Sequence, residues 1–388
     1  MSAGAGAMDF RSSEEQQTIR ELARGILDAE ATQERLRAAE RAGDWHDAAL
    51  WKQLASSNLL GIAVPEAHGG MGMGFAELCV LFEELGRASM PSAAFATLAL
   101  GALPLAQFGS AAQQREWLPR VASGDALLSA ALDDAGSANP LAPATLARRA
   151  GSGWVLDGAK RFVPHARAAS ALLIPATTPD GVAVFLVANP PPGPRADGTL
   201  VAVPRTISSG EPLFDLTLAG VRVGDDARLP GDGAAILRWL HARALTLLAA
   251  QHVGVCDRAL QITAGYTRER IQFGVPIGTF QAVQHREADA FIDLEAMRWT
   301  TWRAALRLAA GLPAEREARV AKIWAADAGT RIVNAALHLH GGTGSDVDYP
   351  IHRYFLWSKA LELALGGASA QLAALGADIA EHGLEVAR

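Results

Sequence analysis

Two clusters in the C-terminal half of the chain suit a large polar anion. The first is Arg268–His285, read as RERIQFGVPIGTFQAVQH. Thr267–Arg270 closes a long apolar-periodic run, and Gln281 restarts a helical pattern. Between them Gly274, Pro276 and Gly278 break helix, because Gly tolerates positive φ and Pro has no amide to donate. Such a junction gathers a guanidinium, carboxamides and exposed backbone amides, which suits a dinucleotide diphosphate. An ordinary interhelical turn with solvated arginines would use the same residues. The second cluster is His338-Leu339-His340-Gly341-Gly342-Thr343-Gly344. Its glycines leave amides open to a phosphate or ribose, although such a run also makes a plain tight turn. No Cys or carboxylate is spaced with His338 and His340 as metal ligands require.

The elements that position these clusters follow from composition and periodicity. At 388 residues and half apolar, the chain is long enough for two or three domains with a sizeable core. A formal net charge of −6 argues against a nucleic-acid partner. Cys79 and Cys256 lie in apolar runs and outline no disulfide framework. Met1–Ala7 reads as a disordered start rather than a signal peptide, and no apolar run of about 18 residues stands out as a membrane span. A soluble, cytoplasmic protein without membrane contacts is expected.

Helical spacing marks the first third. Ser12 and Ser13 before Glu14 and Glu15 signal a helix start, with Ile19, Leu22, Ala23, Ile26 and Leu27 as its apolar face. Glu34–Arg41 reads as a solvated helical face, Asp44 as the start of another helix, and Phe75–Arg87 as a further one. Val64–Gly72 is a loop. The period then changes: Val182–Val187 and Phe214–Leu218 suit strands, and Asn189–Pro194 is a stiff connection. From Ala234 the helical period returns in four long segments, the last from about Leu363 to Ala387. Trp239, Trp299, Trp302, Trp324 and Trp357 in this part suit core or subunit-interface roles. The fold class is mainly α with a central β-domain. It comprises an N-terminal α-helical domain at 1–124, a small β-barrel-like domain at 125–231 and a C-terminal four-helix bundle at 232–388.

This order, with Arg270, Phe273, Gly274, Ile277, Phe280 and Gln281 in the pattern Arg-x-x-Phe-Gly-x-x-Ile-x-x-Phe-Gln, resembles the acyl-CoA dehydrogenase family. So do the Pro65-Glu66-x-x-Gly69-Gly70-x-Gly72 loop and Tyr349-Pro350-Ile351-His352-Arg353. The resemblance covers nearly the whole chain. It implies an FAD-dependent α,β-dehydrogenation of an acyl-CoA thioester, with electrons passed to an electron-transfer flavoprotein or similar acceptor. In the family the two clusters reach across a subunit interface to the adenosine diphosphate part of a neighbour's FAD. By position the implied contacts are Arg270, Gln272, Phe273, Gln281, His338, Gly341 and Gly342, with His338 where the family has Gln.

The resemblance fails where the chemistry should be. The reaction needs a carboxylate to take the α-proton. The family's glutamate falls at Leu365 here, and the alternative location, on the first bundle helix, falls at Ala244. Gly233–Cys256 contains no Asp or Glu; Glu362 is the sole carboxylate close to Leu365 in sequence. A flavin-binding stretch reads Leu132–Asn139 without the family's pattern, and Phe162-Val163-Pro164 replaces a Trp-Ile-(Ser/Thr) stretch. This combination resembles the base-lacking subunit of α2β2 steroid-type acyl-CoA dehydrogenases, with FAD completed at interfaces with a catalytic subunit. No catalytic residue is assigned to this chain. A self-sufficient enzyme using Glu362, or a flavin-free acyl-CoA-binding scaffold, are the alternatives.

Overall fold

The computed structural model describes residues 9–42, 46–137, 139–188 and 198–384. The expected disordered start, the helix start at Asp44, the stiff connection at 189–194 and the last residues of the final helix lie outside them.

Helices fill the N-terminal third: α1 (Glu14–Glu30), α2 (Gln33–Ala42), α3 (Ala48–Ser56), α4 (Phe75–Ala88), α5 (Leu103–Phe108) and α6 (Ala111–Ala122), with a π-helical stretch at Phe95–Ala102 leading into α5. The strands are β1 (Leu128–Ala130), β2 (Asp133–Asp134), β3 (Leu146–Ala150), β4 (Gly153–Pro164), β5 (Ala171–Thr178), β6 (Gly181–Ala188), β7 (Thr199–Arg205) and β8 (Leu213–Gly224). Then come α7 (Gly233–Glu269), a short hairpin β9 (Ile271–Gln272) and β10 (Val275–Pro276), α8 (Gln281–Ala309), α9 (Glu315–His340), α10 (Ile351–Leu363) and α11 (Ala368–His382). The mainly α class with a central β-region is therefore the observed one.

By contact the elements form two compact units. One holds the described residues up to Leu27, Gly74–Ser89 and everything from Leu248 on; the other holds Asp28–Met73 and Met90–Leu247. In the first unit the bundle core is built from Val253, Leu294, Met297, Ala325 and Ile332, at helical spacing on α7, α8 and α9. Small residues allow close approach there: a Cβ on Gly329 would fall within contact distance of His252 Nε2. His252 is fully buried and bonds Ser358 Oγ at 2.7 Å; burial, then the nearby Lys322 and Lys359, push its pKa down to about 3.

The second unit carries an eight-stranded sheet in the order β1-β5-β3-β4-β8-β7, with β2 beside β4 and β6 beside β5. β4 and β8 pair antiparallel with two irregularities, at Leu156/Gly158 and Lys160/Val163. Trp154, Leu156, Leu172, Ile174, Phe185 and Leu216 form its core. A buried ion pair crosses that core: Lys160 Nζ bonds Asp134 Oδ2, while Asp134 Oδ1 accepts from Thr145 N and Oγ1 at 2.9 and 2.6 Å. Those bonds satisfy both charges, as burial requires.

Two expectations need correction. The final helix does not run unbroken from Leu363. It stops at Leu363 and restarts at Ala368, because Leu365 (φ +53°) and Gly366 (φ +91°) adopt left-handed backbone. Taken whole, Ile351–His382 is apolar and long enough for a membrane span, which the sequence reading overlooked. The break leaves helices of 13 and 15 residues, each short of the about 20 a span needs. Secondly, the Arg268–His285 junction is more than a turn. Gln272 pairs with Val275 and Ile271 with Pro276, making a hairpin with a two-residue loop at Phe273-Gly274.

Candidate functional site

The hairpin sets the geometry of the first cluster. Phe273 and Gly274 have φ of +51° and +82°, both positive as a type I′ hairpin loop demands. Gly meets that demand freely; a phenylalanine there is costly, of order 1–2 kcal/mol. The ring is nevertheless 95% exposed, touching only the edge of Phe280 at 6.2 Å. Ile277 N donates to Arg270 O at 2.8 Å, and Gln284 Nε2 donates to Gly278 O at 3.1 Å, so the loop is closed onto the helix ends. Arg270, Gln272 and Gln281 are all exposed. Gln272 Nε2 bonds its neighbour Ile271 O, whereas the Arg270 guanidinium has no ion pair or hydrogen bond among the described residues.

The second cluster lies against the first. Tyr266, one turn before Arg270 on α7, stacks on His340 at 4.4 Å and on the edge of Tyr349 at 6.1 Å. His340 is buried, donates from Nδ1 to Ala336 O, and burial lowers its pKa. Thr267 Oγ1 donates to Glu287 Oε1 at 2.7 Å, tying the end of α7 to the start of α8. Arg286 on α8 contacts His338 Nδ1 on the last turn of α9. Gly341 then caps α9 with φ +58°. A Cβ added to Gly341 or Gly342 would meet nothing within 4 Å, so the space beside these amides is open. The seven predicted residues therefore share one end of the bundle, on three helix termini and a hairpin. Sequence reasoning missed Tyr266, Arg286 and Glu287, and named Tyr349 only as part of a motif of the resemblance. Tyr266 alone left a signal, being four residues before Arg270 and so on the same helical face.

Neither position at which the resemblance places a base, Leu365 or Ala244, carries a carboxylate. Leu365 follows α10, whose 13 residues span ~18 Å between first and last Cα. Gln371 Nε2 donates to Leu365 O at 2.7 Å, and Arg319 donates to Gln371 Oε1 at 2.8 Å, fixing that turn. Glu362 accepts from Thr330 Oγ1 at 2.7 Å and Lys359 Nζ at 2.8 Å. Partial burial would raise its pKa, but those two bonds and the lysine charges hold it below the ordinary range. That is a structural carboxylate, poorly suited to taking a proton. Ala244 is fully buried, as are Leu245 and Leu247 beside it on α7.

In the sheet unit, Phe162 is 51% exposed at φ +52° within the second β4–β8 irregularity. Pro164 has no amide proton, and its carbonyl accepts from Ser129 Oγ at 2.6 Å. Asp134 points its carboxylate inward to Lys160 and Thr145, and Asp133 is held largely out of water, which raises its pKa. Among the described residues neither stretch offers an outward hydroxyl at the position the resemblance requires. The residues present thus fit the diphosphate half of FAD at the bundle end; at Pro164 and Leu132–Ser137 they do not fit the ring half.

The fold and this bundle end define a class. Residues 13–125 match the acyl-CoA dehydrogenase N-terminal domain and residues 231–380 its C-terminal domain. The chain belongs to the acyl-CoA dehydrogenase family, whose members use FAD. It is 38% identical to acyl-CoA dehydrogenase FadE27 of Mycobacterium tuberculosis, over 96% of this chain and 99% of that protein. It is 34% identical to FadE28 of the same organism, over 95% and 98%. Among solved structures it resembles a chain of a variant of the Tcur3481–Tcur3483 steroid ACAD, with 45% identity, TM-score 0.87 and coverage of 95% and 98%. It also resembles a chain of the ChsE4–ChsE5 complex from Mycobacterium tuberculosis, with 36% identity, TM-score 0.90 and coverage of 96% and 99%.

Proposed function

We propose that this chain is the base-lacking subunit of a mixed acyl-CoA dehydrogenase, completing the FAD site of a catalytic partner subunit. The observation that carries the reading is the division between its two halves. The Arg270–Gln281 arm and the Gly341-Gly342 turn are presented to solvent with open space beside them. The base position holds Leu365, and the nearest carboxylate in sequence, Glu362, is already bonded to a lysine and a threonine. Heteromeric relatives, the ChsE4–ChsE5 complex and the Tcur3481–Tcur3483 steroid enzyme, support it.

In this reading FAD supplies the hydride acceptor, and the proton is taken by a carboxylate of the partner. This chain binds and orients. Arg270 places a planar, permanently charged fork against diphosphate oxygens, and Gln272 and Gln281 add carboxamide donors. Gly341 and Gly342 let backbone amides approach without a Cβ in the way. Phe273 is covered by the other subunit and excludes water from the diphosphate. The substrate is a bulky, steroid-like acyl-CoA thioester, and an electron-transfer flavoprotein or similar carrier in the cytoplasm reoxidises the flavin.

The test is a visible spectrum of the purified chain, alone and co-expressed with a partner dehydrogenase. Flavin absorbance and acyl-CoA oxidation are expected only in the mixed complex. Stoichiometric FAD and turnover in the chain alone would overturn the reading.

A further inference from the structure

We infer that Glu287 is a positioning residue that sets, through Thr267, the point from which Arg270 reaches a dinucleotide diphosphate. The inference rests on the proposed FAD role of this arm and gives a part to a carboxylate which that role does not itself use.

Arg270 is the first residue beyond α7, so its place follows the last turn of that helix. Last turns fray, because their carbonyls have no partner further along the helix. This one is fastened from outside. Thr267 is 1% exposed, and its Oγ1 donates to Glu287 Oε1 at 2.7 Å. A hydroxyl donates and a carboxylate accepts, so the sense of the bond is fixed. Glu287 stands on the second turn of α8, beyond the hairpin. The bond therefore closes a loop of 20 positions, with Arg270 inside it.

Other contacts tighten the same junction. Arg270 is held at both backbone groups: its N–H donates to Tyr266 O and its C=O accepts from Ile277 N, each at 2.8 Å. A Cβ on Gly278 would stand 3.0 Å from Thr267 O, so the turn at Ile277–Thr279 already lies against the end of α7. The Arg270 guanidinium is exposed and bonds nothing among the described residues. The result is a fixed stem with a free head. Without the Thr267–Glu287 bond the stem frays, and binding must then order it, at a cost of roughly two- to tenfold in affinity. The charge of Glu287 acts the other way, since a carboxylate beside this arm repels an anion. Bond and charge thus have opposite effects on binding.

Glu287→Gln separates the two, because a carboxamide oxygen still accepts from Thr267. FAD dissociation constants of the co-purified complex with a catalytic partner are measured at low and high salt. Glu287→Gln should retain FAD at least as well as the unaltered complex. Glu287→Ala and Thr267→Val should each weaken retention roughly two- to tenfold, and the two together no further. Both should also flatten the salt dependence, as Arg270→Met does by removing the charge; a fold that is merely less stable would leave it as it was. In an Arg270→Met background neither should cost anything more. Equal losses with and without Arg270 overturn the inference, as does a Glu287→Gln complex as poor as Glu287→Ala. Full retention in Glu287→Ala and Thr267→Val while Arg270→Met weakens FAD overturns it too. If Arg270→Met itself changes nothing, the dinucleotide reading of the arm has failed, and the inference falls with it.

Discussion

Phe273→Asn separates folding from assembly at one residue. In the isolated chain Phe273 contributes little to stability: its ring is 95% exposed and meets only the edge of Phe280. It also occupies the first loop position of the hairpin at φ +51°. Asn-Gly is the favoured pair for such a loop, so Asn relieves part of the ~1–2 kcal/mol of left-handed strain. Loss of an exposed aromatic edge contact offsets at most about 1 kcal/mol of that. The isolated chain should therefore unfold at the same or slightly higher denaturant. Assembly should respond in the opposite direction. Burying a phenylalanine against a partner is worth roughly 1.5–3 kcal/mol, which converts to about 10- to 150-fold in a dissociation constant. Equilibrium unfolding of the chain and sedimentation of the mixed complex with its flavin signal read the two quantities separately. A variant that loses stability alone, or that assembles and retains FAD as before, would refute the claim that this ring is held out for a partner.

Other outcomes follow from the same structure. Glu362→Gln should leave acyl-CoA turnover by the mixed complex unchanged within about twofold, since its carboxylate is occupied by Thr330 and Lys359; abolished turnover with flavin still bound would identify it as the base. Gly329→Ala should lower stability by about 1–3 kcal/mol, because the added methyl meets the buried ring of His252; an unchanged denaturation midpoint would show that the ring can move. His252 and His165 are buried, and burial is the main cause of folded-state pKa values of about 3 and about 4, below the ordinary 6.5. Between those values and 6.5 the unfolded chain binds protons that the folded chain does not. Their stability contribution is thus complete above about pH 6.5 and is lost as pH falls through that window. Urea midpoints at a series of pH values should fall on acidification, and less steeply in His252→Gln; identical slopes would remove His252 from the account.

Much of the fold was legible because apolar spacing changes period twice, near Ala126 and again near Gly233. β3 and β7 escaped notice for plain reasons. β3 reads LARRA, and its only buried side chain is Ala147. β7 lies at the edge of the sheet with mostly exposed side chains, including Val201 and Val203. Neither shows the apolar run that marks a strand. The hairpin at 271–276 was hidden by its own Gly and Pro, which read as a turn; pairing two residues on each side leaves no periodicity to find. The residues of the candidate site were named from resemblance, while their arrangement was not deducible. Thr267–Glu287 and Arg286–His338 join positions far apart in sequence, and only the packed helix ends bring them together.

The backbone and the side chains of this chain give different kinds of information. Among the described residues six that are not glycine have positive φ, and Phe162, Phe273 and Leu365 are three of them. These three fall where the resemblance places, in turn, the flavin-ring support, the diphosphate arm and the base. Such conformations cost of order 1–3 kcal/mol each and persist only where surrounding structure over-determines them. At Leu365 the cause is visible: Gln371 holds its carbonyl, and Arg319 holds Gln371. The turn at the position where the resemblance places a base is therefore held in place, and its side chain cannot accept a proton. In the proposed reading, residue type at Leu365 and Pro164 removes the chemistry, and Phe273 and the exposed glycine turn are what the chain still offers. It takes both to separate a subunit that runs the reaction from one that holds another's cofactor.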